Sequence, residues 1–258
     1  MTSFLKQKST LLQTRPFIVG TLCSNQKTIS QTLQHISRSY FDVLELRLDS
    51  YFDPTKDLDG SITDARQLLK KISSQLKKPI LLTFRAEDES GKKKISKAPI
   101  SDTIRLKVIT ALLDLVDLID VEIRHLTFAK EMTRRAQNKR VNVIHSYHEF
   151  EKGRLNFASL KKWINASFQT KGDFFKVAMA PSTYQELDQF FQESGMIPHK
   201  QKILIGMGEV GQVSRLIGFS FGSVFTYGHF GTEAAPGQIH VDDLNKFITS
   251  YFGLRVRN

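Results

Sequence analysis

The chain has 258 residues, is 40% hydrophobic and 24% charged, and carries a formal charge of +11 from 37 Lys and Arg against 26 Asp and Glu. That length and composition support one substantial core and exclude a globally disordered chain. The basic residues lie in small groups such as Arg134-Arg135 and Lys92-Lys93-Lys94, without interleaved aromatics, so no nucleic-acid partner is expected and an anionic metabolite accounts for the charge at least as well.

Residues 1–15 are polar and basic, lack the apolar stretch of a signal peptide, and read as an extension ahead of one domain over 16–258. A first apolar strand is predicted at 17–22. Cys23 follows it, and a lone cysteine excludes an internal disulfide framework and suggests a reducing compartment, the cytoplasm. Further strands are predicted at 43–48, 80–84, 115–123, 141–147, 174–179, 203–207 and 223–227, all rich in Val, Ile, Leu and Phe as strands covered on both faces are. Helical patterns fall between them: Ala65, Leu68, Leu69, Ile72 and Leu76 repeat at helix spacing over 62–76, and Ile104, Val108, Ile109, Leu112 and Leu113 over 102–114. Similar patterns occupy 156–167 and 183–193, and a last helix runs from 242 to 252. No apolar run reaches the ~18 residues of a membrane span, so no membrane contact is expected. No Cys/His cluster suggests a metal site.

Eight strands alternating with helical stretches predict an α/β architecture, a single-domain (β/α)8 TIM barrel. An open doubly wound sheet is the alternative, but no glycine fingerprint follows the first strand. Gly206-Met207-Gly208-Glu209-Val210-Gly211 matches the spacing after strand seven, without the acidic residue that should end a following strand.

Lys176, in Phe174-Phe175-Lys176-Val177-Ala178-Met179, is the most informative residue. A buried ammonium is costly unless paired or deprotonated, and enzymes use neutral lysine amines to form Schiff bases. An ion-paired core lysine, or an exposed strand edge, would explain it equally. Active sites of barrels lie at the C-terminal strand ends. There the chain carries Glu45 and Arg47 on one face of strand two, an ion pair that either holds substrate or is structural. Arg85 ends strand three with Glu89 four residues on, His148 follows strand five, Arg215 follows the turn after strand seven, and Gln238 follows strand eight. Asp120 and Glu122 end strand four and could fix Lys176 or His148, or line the barrel. His145, three before His148, should face the opposite way and pack against a helix or line the barrel. Together these types suit iminium formation by lysine, proton transfer by histidine and carboxylate binding by arginine. Elimination or aldol-type chemistry on an anionic hydroxylated ketone follows, with no metal or nucleotide. A class I aldolase remains open on these residues, with the 206–211 glycines as a phosphate turn.

Phe41-Asp42-Val43-Leu44-Glu45-Leu46-Arg47-Leu48-Asp49, Leu82-Thr83-Phe84-Arg85 with Glu89, Ser146-Tyr147-His148-Glu149-Phe150, Lys176, Met207-Gly208 with Gly211 and Ser214-Arg215, and Ala235-Pro236-Gly237-Gln238 together resemble type I 3-dehydroquinate dehydratase from about Pro16 onward. The resemblance implies the third step of the shikimate pathway, on the way to aromatic amino acids: syn elimination of water from 3-dehydroquinate to give 3-dehydroshikimate. It implies no cofactor beyond a covalent imine on Lys176, with His148 as general acid/base and Glu89 as its partner. Arg215 would bind the substrate carboxylate, while Thr21, Glu45, Arg47, Arg85 and Gln238 would hold ring hydroxyls and close the site. The segment 228–238 would be a lid. Family members act as dimers or monomers, so a homodimer stays open. Three departures stand out: Ala234 where the family usually has serine, Ser90-Gly91 where two glycines commonly follow the glutamate, and Tyr227-Gly228-His229-Phe230-Gly231, an unusual stretch in the lid.

Overall fold

The computed structural model describes residues 15–23, 29–53, 56–89, 100–150, 156–195, 197 and 201–252. The expected extension, apart from Arg15, and the stretch holding Lys92-Lys93-Lys94 and Ser90 lie outside the described residues. Eight parallel strands build the centre: β1 (Phe17–Leu22), β2 (Val43–Arg47), β3 (Ile80–Thr83), β4 (Leu118–Glu122), β5 (Asn142–Glu149), β6 (Phe174–Met179), β7 (Lys202–Gly206) and β8 (Phe225–His229). Their order is β7-β6-β5-β4-β3-β2-β1-β8, with a two-residue β9 (Ile239–His240) added beyond β8. β7 and β8 meet through an isolated parallel bridge between Lys202 and Ser223. There the Val224 amide donates to the Lys202 carbonyl at 3.0 Å and the Leu204 amide to Ser223 Oγ at 2.9 Å. The sheet is thereby curled into the (β/α)8 form that the alternation of strands and helices predicts.

Helices cover the outside: α1 (Ile29–Ile36), α2 (Leu58–Leu76), α3 (Asp102–Leu112), α4 (Leu126–Asn138), α5 (Phe157–Thr170), α6 (Tyr184–Gly195), α7 (Ser214–Ile217) and α8 (Val241–Phe252). α2 buries Ala65, Leu68, Leu69 and Ile72, and starts where the Asp57 side chain accepts the Gly60 amide at 2.7 Å. The predicted strand at 115–123 is shorter than expected, because Leu113–Leu115 continue α3 as a 3-10 turn. The predicted strand at 141–147 instead runs on to Glu149, paired with Met179 of β6.

Alternation along each strand divides the apolar residues into two cores. Ile18, Leu44, Leu82, Val121, Val143, Phe175 and Leu204 face the helices. Phe17, Val19, Val43, Leu81, Leu118, Ile144, Phe174, Ile203 and Phe225 fill the barrel interior. His145 is on the outward set, between Thr133 Oγ1 of α4 and Ser167 Oγ of α5, each 2.9 Å away. Its opposition to His148 follows from the strand period.

One ion network locks α3 to the barrel. Arg105 of α3 is fully buried, stacks over Phe128 at 4.4 Å, and donates to the Phe84 carbonyl at 2.9 Å and to Glu122 of β4. Removing a buried partner leaves a buried charge short of compensation. Arg105→Met is therefore expected to lower stability by about 3 kcal/mol or more, read as a shift in urea midpoint. A change within error would show that Arg85 alone satisfies Glu122.

Candidate functional site

The inward positions change character towards the C-terminal ends of the strands. Above the apolar layer come Thr21 of β1, Glu45 of β2, Thr83 of β3, Asp120 and Glu122 of β4, Ser146 and His148 of β5, Lys176 of β6 and Tyr227 of β8, all at most 6% exposed. Strand register sets them side by side: Thr21 opposite Glu45, Thr83 opposite Asp120, Glu122 opposite Ser146, and Ser146 opposite Lys176. So many buried polar groups are tolerated only when hydrogen-bonded or when a ligand completes them.

Lys176 faces inward, as do Phe174 below it and Ala178 above. Its Nζ donates to Asp120 Oδ2 at 3.0 Å and lies 4.4 Å from the centroid of the Tyr227 ring. Asp120 Oδ1 accepts from Arg85 Nη1 at 2.9 Å and from Ser146 Oγ at 2.6 Å. Burial pushes the Asp120 carboxyl up, but Arg85 and Lys176 outweigh it and hold the group well below the usual carboxylate range. The lysine is thus ion-paired, and its partner is a permanent anion that cannot take its proton at neutral pH.

His148 Nδ1 lies 2.9 Å from Glu89 Oε2, and its ring stacks on Phe150 with centroids 5.9 Å apart. Burial, reinforced by the Arg85 and Lys176 cations, holds the imidazole well below its ordinary pKa. Burial next to Glu122 pushes the Glu89 carboxyl up to about 8, against the pull of Arg85 and Arg124. Glu89 rides on a single 3-10 turn, Glu87–Glu89, just past β3. Arg124 borders the pair, donating to the His148 carbonyl at 3.1 Å with its Nε 3.7 Å from Glu89 Oε1.

The expected Glu45–Arg47 ion pair is not what forms. Arg47 turns to Asp49, donating from Nε at 3.0 Å and from Nη2 at 2.7 Å. Asp49 is the second residue of the helical turn Leu48–Tyr51, which brings its carboxylate back to Arg47. Glu45 is held by hydroxyls instead, accepting from Thr21 Oγ1 and from Thr83 Oγ1, both at 2.7 Å. Gln238 joins this group: its Nε2 donates to Thr21 Oγ1 at 3.3 Å, and its Oε1 accepts the Ala234 amide at 2.7 Å. The side chain of Gln238 therefore ties the segment after β8 to β1.

Arg215, on the four-residue α7, is 2% exposed. Its Nε donates to the Gly237 carbonyl at 2.8 Å and its Nη1 to the Tyr227 carbonyl at 3.2 Å, while Nη2 has no hydrogen-bond partner. Burial without a direct carboxylate partner lowers its pKa to about 10. Its position depends on close backbone packing. Gly211 lies directly against the Gly206 backbone, and Gly237, at φ +75°, against Gly208, so a Cβ at either would collide with main chain. The glycines of 206–211 thus serve chain-to-chain contact around Arg215, which removes the argument for a phosphate turn.

All nine expected site residues, Thr21, Glu45, Arg47, Arg85, Glu89, His148, Lys176, Arg215 and Gln238, are buried at this end of the barrel. Thr83, Ser146, Asp49, Arg124 and Tyr227 join them, and the sequence does not single these five out as site residues. For Thr83, Ser146 and Tyr227 the signal was inward parity with Leu81, Ile144 and Phe225. Asp49 and Arg124 carry no such signal, because both lie where strand alternation has ended. Among the described residues, no group of three or more His, Cys, Asp or Glu side chains is arranged to hold a metal ion. None of the described helices is long and apolar enough to cross a membrane.

Residues 17–255 match the type I 3-dehydroquinase family. The 3-dehydroquinate dehydratase of Hydrogenobaculum sp. (strain Y04AAS1) is 31% identical over 211 residues, covering 82% of this chain and 89% of that protein. That of Geobacillus sp. (strain WCH70) is 28% identical, covering 90% and 86%. The crystal structure of type I 3-dehydroquinate dehydratase from Clostridium difficile with covalent modified comenic acid superposes with a TM-score of 0.80 at 26% identity, covering 95% of this chain and 94% of the other.

Proposed function

The chain belongs to the type I 3-dehydroquinase family, and on that premise we propose that it is a hydro-lyase converting 3-dehydroquinate to 3-dehydroshikimate and water through an imine on Lys176. The Lys176 amine, once deprotonated, adds to the C3 ketone, and loss of that oxygen as water leaves an iminium. The iminium acidifies the C2 proton, which His148 removes. The electron pair flows into the iminium, and on its return expels the C1 hydroxyl, which leaves as water with the proton from His148. Hydrolysis of the iminium frees the product and restores the amine. No cofactor enters this sequence of steps.

The observation that carries the reading is the meeting of three groups at one barrel mouth. An inward lysine lies on a permanent carboxylate, a neutral histidine lies on a carboxyl partner, and a buried arginine has one nitrogen unpaired. Arg215 Nη2 would take the substrate carboxylate, and Glu45, Arg85, Thr21 and Gln238 would order the ring oxygens. Arg47 would act beside them, oriented by Asp49. Covalent chemistry also agrees with the covalent ligand of the Clostridium difficile relative. The conversion would be the third step of the shikimate pathway, and the single cysteine fits an enzyme of the cytoplasm.

The test is borohydride reduction in the presence of 3-dehydroquinate followed by peptide mass spectrometry, with the reduced adduct expected on Lys176. An adduct on another lysine, or none in a protein that still releases water from the substrate, would overturn the imine assignment.

Two substitutions probe the binding groups. Arg215→Lys keeps a charge but loses the fork that can reach Gly237, Tyr227 and a carboxylate together. It is expected to raise KM about 10- to 100-fold, equivalent to ~1.4–3 kcal/mol. An unchanged KM would remove the carboxylate role. Ala234→Ser restores the hydroxyl usual at that position and is expected to lower KM by about fivefold, the value of one neutral hydrogen bond. A KM equal to or above that of the parent would show that the hydroxyl does not reach substrate.

A further inference from the structure

Among the described residues, Glu89 Oε1, Arg215 Nη2 and the Tyr227 hydroxyl are buried without a hydrogen-bond partner, and all three belong to this barrel mouth. Arg215 Nη2 would be completed by the substrate carboxylate, and Glu89 Oε1 has Arg124 Nε 3.7 Å away. The Tyr227 hydroxyl has no such counterpart, although a buried phenol that makes no hydrogen bond is destabilising. Such a group persists where a ligand completes it.

The placement of Tyr227 is specific. It is the last fully buried inward residue of β8, one step above Phe225 of the apolar layer, and is 3% exposed. Its ring lies under the nucleophile, with Lys176 Nζ 4.4 Å from the ring centroid. Its main-chain carbonyl accepts from Arg215 Nη1 at 3.2 Å, so Tyr227 sits between the lysine and the anchoring arginine. Burial, with the Glu45 and Asp120 carboxylates nearby, holds the phenol well above its ordinary pKa. It therefore stays protonated and has a hydrogen to donate.

We propose that the Tyr227 hydroxyl is a further catalytic residue, donating a hydrogen bond to the substrate oxygen on the carbon that Lys176 attacks. This rests on the imine reading given above. When the Nζ–C bond forms, the carbonyl π pair moves to oxygen, and the oxygen gains charge. A neutral phenol at that oxygen stabilises the charge without surrendering its own proton. The oxygen then leaves as water carrying two protons, one released by the nitrogen as the N–C bond forms and one returned by His148 after it deprotonated the lysine, so Tyr227 is unchanged at the end of the step. The aromatic ring performs a separate task, holding the ammonium before substrate arrives.

Tyr227→Phe tests the hydroxyl and keeps the ring. The rate at which the borohydride-trapped adduct accumulates on Lys176 in a single turnover is expected to fall at least about 10-fold. The melting temperature of the free protein is expected to stay level or rise, since an unpartnered hydroxyl has been removed. Tyr227→Leu, which removes the ring as well, is expected to be slower still. Trapping in Tyr227→Phe as fast as in the parent overturns the proposal while leaving the imine reading intact. Fast trapping in the Phe variant with slow trapping in the Leu variant assigns the effect to the ring and overturns it too. An untrappable parent protein removes the imine reading, and this proposal falls with it.

Discussion

Lys176→Arg is expected to abolish turnover, with kcat lowered by about 10⁴-fold or more, in a protein that remains folded. The two explanations of a lysine in an apolar strand part here. If Lys176 only neutralises Asp120, a guanidinium in its place keeps the ion pair and activity survives. If the amine attacks the ketone, arginine cannot replace it, because it stays protonated at any working pH. Lys176→Met provides the second arm. Asp120 would retain Arg85 and Ser146 as partners, so the barrel should hold and activity should still vanish. The measurement is conjugated-enone absorbance with 3-dehydroquinate, alongside urea denaturation of each variant. Turnover in Lys176→Arg within about tenfold of the parent would remove the lysine from the chemistry.

The same contacts show what substrate binding must accomplish. Lys176 Nζ donates to Asp120, a carboxylate held ionised by Arg85 and by the lysine itself. Asp120 therefore positions the nitrogen and is not its base. His148, kept neutral by burial and by the neighbouring cations, is the group with room for a proton. Once Glu89 is ionised, the cluster places a held nucleophile beside a base with one nitrogen free, and bringing the carbonyl between them would couple deprotonation of one to protonation of the other.

How much of this was legible in the sequence follows from the periods of the elements. Strands covered on both faces read as apolar runs, and the polar residues interrupting such runs, Glu45 and Lys176, stood out for that reason. The alternation implies helices at α1 and α4, but no periodic stripe marks their bounds. α1 is only eight residues long, and the buried face of α4 includes Ala129, Thr133 and Ala136, whose small or polar side chains leave a faint stripe between charged residues. Partner choice was less legible than position. Glu45 and Arg47 share a strand face, yet Arg47 closes on Asp49, because the chain turns helical at Leu48 and alternation ends there. A two-residue strand rule cannot describe a contact made across a change of element. Thr83, Ser146 and Tyr227 were concealed differently: their residue types are common in strands, and only register with neighbouring strands shows them lining a polar interior.

Glu89→Gln is expected to lower kcat/KM by about 100-fold while making the free protein more stable above pH 8. The Glu89 carboxyl is pushed up to about 8 in the fold, from an ordinary value near 4.5. Below pH 4.5 it is protonated in folded and unfolded chains alike and contributes nothing to the pH dependence. As pH rises towards 8 the unfolded chain sheds this proton and the folded one retains it, so the fold loses stability. His148 works in the opposite direction, but its depressed value confines its contribution to pH below about 6.5. His125, raised by Asp102 against the pull of burial, titrates in both proteins and drops out of their difference. Between pH 6.5 and 8 the parent should therefore lose about 2 kcal/mol relative to Glu89→Gln, measured by urea unfolding at the two pH values. The catalytic consequence has the same origin. An ionised Glu89 accepts the proton of His148 Nδ1 and leaves Nε2 free as the base, whereas a protonated Glu89 donates to Nδ1 and forces the proton onto Nε2. In the parent, kcat/KM should climb with pH through about 8, and that limb should vanish in Glu89→Gln. A stability difference that stays flat from pH 6.5 to 8.5, with the limb intact in the variant, would show that Glu89 sets neither the proton position nor the cost of burying it.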